Sequence, residues 1–321
     1  MANGETTLDR KGESHVAGSS WEWKPRGVGD WLDGIFQVYR GAFKPLFGLA
    51  ASVMLPLGIV DGLAQRDLTR NAFAGVADVL QGQDPTELLT MAESTQGGST
   101  ALAFLGVLAT TFLSIAGIWL VNEHLHGHRR RIGEAFNATP RLWARSLGVA
   151  LLVFLGLLLL LAVVMGTSVG VSIVLHATWL NVVGAILWVG VATFFAVRWL
   201  FASQVLVAEG IGVTAAIRRS FRLTRGSFWA LVGRLIVFGL IIYALRAALD
   251  LGILMAAGAV ALTRSTAVAV AFQGVASLIG ALLAPIGWIG LTLLYYDLRI
   301  RKEGYDLEQT AQSLEQQASP V

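Results

Sequence analysis

Six long apolar runs divide the chain, at about 45–63, 101–122, 147–175, 179–204, 229–262 and 268–296. About 20 apolar residues in a helix cross the roughly 30 Å of hydrocarbon in a bilayer, so each run is long enough to span. The third, fifth and sixth exceed that length, which predicts tilt, a break or an extension along the interface. Pro285 predicts a kink in the sixth run. In the fifth, Arg246–Asp250 marks a candidate break, with GILMAAGAVAL beyond it as a separate piece.

The polar stretches between these runs repeat in outline. GVGDWLDGIFQVYRGAFKPLFGLA begins at Gly27, RIGEAFNATPRLWARSLGVALL at Arg131 and GIGVTAAIRRSFRLTRGSFWALVG at Gly210. Each opens on an apolar residue followed by glycine and leads through a cationic stretch into two apolar runs. In the first, Val28, Trp31, Leu32, Ile35, Tyr39, Ala42 and Phe43 fall on one helical face. In the third, Val213, Ala216, Ile217, Phe221 and Phe228 line a similar face, with Arg218, Arg219, Arg222 and Arg225 beside it. Helices of this kind lie in the membrane interface, apolar side in acyl chains and arginines near anionic headgroups. Pro140 interrupts the second copy. The expected fold is all-α and polytopic: six transmembrane helices as three hairpins, each preceded by a cytoplasmic interfacial amphipathic helix. The repeats cover about 27–122, 131–208 and 210–302, giving a membrane domain over 27–302.

Segments outside the spans read differently. Residues 1–26 are polar, lack a signal-peptide core and read as a disordered cytoplasmic tail, with Trp21 and Trp23 at the membrane interface. Residues 303–321 form a cytoplasmic C-terminal tail. The external segment 64–100 contains DPTELLTMAES, where Asp84, Pro85 and Glu87 have helix-start spacing. It reads either as a short surface helix or as a solvated loop.

Charge sets the orientation. With both termini cytoplasmic, the inner segments hold 20 of the 24 lysines and arginines but 14 of the 21 acids. That is the positive-inside bias of a multi-pass plasma-membrane protein. Only 14% of the 321 residues are charged and 55% are hydrophobic, where a soluble domain carries about 25% charged residues. The chain has no cysteine, which removes disulfides, thiolate metal sites and cysteine nucleophiles. The cations follow the spans and not one solvent face, so no nucleic-acid partner is expected.

Few polar groups offer chemistry. His124, His126 and His128 precede Arg129, Arg130 and Arg131 in HLHGHRRR. On a helix His124 and His128 would share a face. Gly127 and the adjacent cations favour a protonatable basic patch over a metal site, and no metal or cofactor is expected. Arg246 and Asp250, four apart in an apolar run, are either a substrate or relay pair or a snorkelling pair near the outer interface. Gln273 reads as an interhelical hydrogen bond or a weaker member of that polar site. Arg198 and Arg234 flank span ends and read as snorkelling to headgroups. No GxSxG, HExxH, Walker A or Rossmann pattern occurs.

The last span ends in LYYDLRIRKEGYDLE. Tyr295 and Tyr296 fit an aromatic belt with their hydroxyls in water, and Arg299, Arg301 and Lys302 fit a cytoplasmic anchor. Asp297 pairs with Arg301 at i, i+4. A docking surface for a cytoplasmic partner is the other reading. Together with GVGDWLDGIFQVYR and RRSFRLTRGSFWALVGR, this motif resembles the bacterial glycerophosphoryl diester phosphodiesterase membrane-domain family, in its stand-alone actinobacterial form. The family name derives from proteins in which the membrane region is fused to a catalytic barrel, and such a barrel takes about 250 residues. The stretches flanking 27–302 leave no room for it, so phosphodiesterase activity is not expected. The resemblance implies a multi-span plasma-membrane protein linked to envelope or lipid biology. The expected role is non-enzymatic, organising lipids or partner proteins at the cytoplasmic face. Arg129, Arg130, Arg131, Arg218, Arg219, Arg222, Arg225, Tyr295, Tyr296, Asp297, Arg299 and Arg301 are the expected headgroup or partner contacts. The alternative is a transporter or lipid-translocating protein built around Arg246, Asp250 and Gln273.

Overall fold

The computed structural model describes residues 21–64, 100–261 and 266–318. Most of the segment expected to be external, with its DPTELLTMAES stretch, lies outside them. Every described element is a helix: α1 Val28–Gly41, α2 Phe43–Ala64, α3 Thr100–Leu125, α4 Ile132–Val174, α5 Trp179–Trp199, α6 Ala202–Glu209, α7 Val213–Thr224, α8 Phe228–Ala261, α9 Thr266–Glu303 and α10 Tyr305–Ala318. Six of these, α2, α3, α4, α5 (running on through α6), α8 and α9, are long and apolar enough to cross a membrane.

The helix lengths correct two expectations. α8 runs unbroken through Arg246 and Asp250 to Ala261, so the fifth span does not split within the described residues. The pair itself bridges one turn of that helix. α4 passes through Pro140 without a break and covers 43 residues, joining the second cationic stretch to its span. Proline removes one ladder bond, but a long apolar helix held by its neighbours keeps the rest. α9 likewise continues through Pro285.

α9 is the axis of the bundle, in contact with α1, α2, α3, α6, α7, α8 and α10. α1 and α2 descend along it in the opposite sense. Arg26 meets Asp297, Trp31 donates to the Gly290 carbonyl (3.1 Å) and Tyr39 to the Leu282 carbonyl (2.9 Å). Further along, Gly58 faces Ser277 and Gly62 faces Gln273 so closely that a methyl group on Gly58 would overlap the serine side chain. Small residues let two helix backbones approach where no hydrophobic force drives them together in lipid. α4 and α5 lie side by side, with Ser168 bonded to the Leu180 carbonyl (2.7 Å) near their turn.

Burial is uneven along the bundle. One end collects the start of α1, the end of α3, the start of α4, the end of α5, α6, α7, the start of α8 and the end of α9. Here Trp31, Leu125, Phe201, Leu206, Leu231, Ile289 and Tyr295 are all buried. At the other end α4, α5 and α8 expose Leu159, Ile173, Ile186, Leu240 and similar side chains, the surface a lipid-facing helix presents. The packed end is also the basic end.

The interfacial-helix expectation is corrected for α1. Its apolar stripe, Trp31, Ile35 and Val38, is buried against protein and not in acyl chains. α7 turns Ala216, Ser220, Leu223 and Thr224 inward and leaves Phe221, Arg218, Arg222 and Arg225 exposed. An apolar stripe looks the same in sequence whether lipid or a neighbouring helix covers it.

Candidate functional site

The C-terminal motif joins the elements at the basic end. It can do so because α9 overruns a membrane crossing: at about 1.5 Å per residue, its 38 residues exceed what a crossing needs. Asp297, 3% exposed, is its most connected group. It accepts from Arg234 of α8 (2.5 Å), Arg301 one turn on (2.9 Å) and the Arg26 backbone N–H (2.8 Å). Arg301 also donates to the Arg26 carbonyl (2.7 Å). One carboxylate thus ties α8, α9 and the segment before α1. Arg234 is engaged by an acid and does not snorkel.

Tyr295 and Tyr296 are buried, which corrects the aromatic-belt reading of their hydroxyls. Tyr295 donates to Glu209 of α6 (2.8 Å), and Tyr296 donates to Asn122 of α3. The rings sit inside because α9 holds this stretch against α3, α6, α10 and Trp23. Glu209 in turn holds Arg219 of α7 (3.1 Å), whose remaining guanidinium nitrogens fork onto Glu303 (2.5 and 2.7 Å). Burial opposes the Arg219 charge, yet hydrogen bonds to Glu303 and the charge of Glu209 outweigh it and raise its pKa. Arg299 pairs with Glu303 (3.3 Å) and lies over the Tyr305 ring at 4.1 Å. Burial pushes the Tyr305 hydroxyl above the ordinary tyrosine value, against the pull of Arg299.

Gly304 allows this arrangement. Its φ of +64° ends α9 and turns the chain into α10, so that Tyr305 folds back onto Tyr296. A left-handed position of this kind suits glycine. Trp23, expected at the membrane interface, packs instead among His126, Tyr296 and Tyr305 with ring centroids 4.8 to 5.4 Å away.

His124 and His128 do not share a helical face, because α3 ends at Leu125 and Gly127 takes φ +82°. His126 meets the Asn122 carbonyl (2.7 Å) and the Tyr305 hydroxyl (3.1 Å), and His128 faces Glu123 (3.2 Å). His124 lines a cavity of about 1600 Å³ between the N-terminal segment, the α1–α2 junction and the α3–α4 turn. Lys24, Arg26, Lys44, Arg129, Arg130 and Arg131 also line it. Lys24 has Glu22 (2.8 Å), and Arg130 has Glu123 (2.9 Å) and Glu134 (3.2 Å). Lys44, Arg129 and Arg131 have no ion pair among the described residues.

Residues 171–316 match the family described as the membrane domain of glycerophosphoryl diester phosphodiesterase, a little under half of the chain. No curated protein and no solved structure matches the chain. The match takes in the last turn of α4, all of α5 to α9 and most of α10, hence Glu209, Arg219, Arg234 and the whole C-terminal motif. The protein is an integral, multi-pass membrane protein.

The remaining sequence candidates sit apart. Arg246 and Asp250 pair with each other at 2.7 Å on an exposed flank of α8. Gln273 reaches Asp61 of α2 (3.4 Å). Arg218, Arg222 and Arg225 stay exposed at the basic end. Sequence reasoning missed Arg26, Asp61, Asn122 and Glu209, because each pairs with a residue more than 80 positions away and carries no local pattern.

Proposed function

We propose that the protein is a non-enzymatic organiser of the plasma membrane's inner leaflet. Its basic end faces the cytoplasm with both termini, and it gathers anionic phospholipid headgroups there, with bound lipid presenting a surface to partner proteins. The cavity carries this reading. Three cations without acids converge on it, and mutual repulsion makes such a cluster unfavourable until an anion arrives. Each basic group near an anionic leaflet adds about 1 kcal/mol of attraction. Exposed Arg218, Arg222 and Arg225 extend the same field along α7. The positive-inside bias supports the orientation.

Transport, the alternative, draws less support. Arg246 and Asp250 satisfy each other on a lipid-facing flank, and Gln273 is engaged by Asp61.

Electron spin resonance of spin-labelled lipids tests the proposal. Protein reconstituted in phosphatidylcholine is expected to immobilise several-fold more labelled phosphatidylglycerol than labelled phosphatidylcholine. The combined Lys44→Gln, Arg129→Gln and Arg131→Gln variant loses most of that excess. Equal immobilised fractions of the two lipids around the unaltered protein contradict the reading.

A further inference from the structure

Arg198, in the last turn of α5, is 9% exposed. Its guanidinium lies between the rings of Phe194 (4.9 Å) and Phe221 (5.0 Å). Aromatic faces attract a cation, but they offer no acceptor to donors lying in the guanidinium plane. Nε and Nη1 have no hydrogen-bond partner. Arginine cannot shed its proton to escape this situation. Charged donors left unmade in a buried site are more costly than neutral ones.

Among the described residues no acid forms an ion pair with Arg198. Lys302 lies within electrostatic reach of Arg198 and adds a second cation. It donates to the carbonyls of Leu223 and Arg225 (2.6 Å each), closing the end of α7. Glu209 and Glu303 are held by Arg219. The walls are fixed as well. Ser220 donates to the Arg198 carbonyl (2.8 Å) and accepts from the Phe201 N–H (3.1 Å), which clamps α7 onto the α5–α6 junction. On the outer side, Phe194 touches Phe228 at the start of α8 (5.5 Å), and the adjacent Trp229 is exposed, as is Phe221. The slot therefore borders the lipid-facing flank, with an apolar rim beside a cationic floor.

We propose that this slot binds the phosphate group of an inner-leaflet phospholipid. Arg198 supplies the in-plane N–H donors, the two phenyl rings keep water off its faces, and Lys302 adds charge. Planar N–H forks match phosphate oxygens. Acyl chains then run along Phe221 and Trp229. The choice of leaflet rests on the orientation proposed above, whereas the phosphate chemistry does not.

Thermal unfolding of delipidated protein in neutral detergent tests this, with dioleoylphosphatidylglycerol, dioleoylglycerol and inorganic phosphate as probes. The unaltered protein is expected to gain a saturable shift with the phospholipid and none with the diacylglycerol. Inorganic phosphate raising stability as much as the lipid would overturn the lipid as source and leave a free-phosphate site. Arg198→Met removes the unanswered charge and keeps much of the volume. It is expected to unfold at the same temperature as the unaltered protein or higher without lipid, and to bind the phospholipid at least about tenfold more weakly. Unchanged lipid affinity in Arg198→Met overturns the proposal. So does a lower unfolding temperature, or failure to fold, since the guanidinium would then stabilise the fold without an anion. Both lipid arms are read in the Lys44→Gln, Arg129→Gln, Arg131→Gln background, which removes the cavity's own lipid binding, so the cavity and the Arg198 slot can fail separately.

Discussion

At the scale of single residues, Asp297 decides most. It is buried, accepts from two arginines on two helices and from one backbone N–H. Taking away its charge strands Arg234, whose side chain is only 15% exposed. Breaking a buried pair from one side costs about 3–5 kcal/mol. Asp297→Asn should therefore lower unfolding stability in detergent by that order, and adding Arg234→Met should recover part of the loss. A change within about 1 kcal/mol for Asp297→Asn alone would show that the carboxylate is not the tie described. Its pairing with Arg301 was legible in the sequence, because i, i+4 neighbours meet on any helix. The pairing with Arg234 was not, since 63 residues separate the two and no local pattern links them.

Between elements, close approach governs the fit of α2 on α9. Gly58 faces Ser277 without room for a Cβ. Gly58→Ala is expected to destabilise the bundle by about 1–3 kcal/mol, and Ser277→Gly in the same chain should restore most of it by opening the space. A Gly58→Ala variant as stable as the unaltered protein would place the two helices further apart than described. The spans themselves were legible, because a run of 20 apolar residues has few fates other than crossing or filling a membrane. Their ends and partners were less so. Pro140 signals a break in isolation, but α4 carries through it. Arg219 carries the same cationic signature on α7 as Arg218 and Arg222, yet it is held by Glu209 and Glu303 while those two stay exposed. Sequence alone places a cation on a face, not opposite an acid 84 residues away.

For the whole molecule, tight packing and positive charge coincide at one end. The C-terminal motif, α6, α7 and the segment before α1 enclose a buried polar network there, while the opposite ends of α4, α5 and α8 present apolar surface. A rigid basic end with unpaired cations at its rim is suited to hold anionic headgroups in fixed positions, and this depends on that end facing the inner leaflet. The chain contains no cysteine, so single cysteines can be placed at will. Arg129→Cys and Arg222→Cys mark the basic end, and His176→Cys marks the α4–α5 turn at the other. In intact cells a membrane-impermeant maleimide should label only His176→Cys, and the other two should react only after the membrane is opened. Labelling of Arg129→Cys or Arg222→Cys from outside would contradict the account.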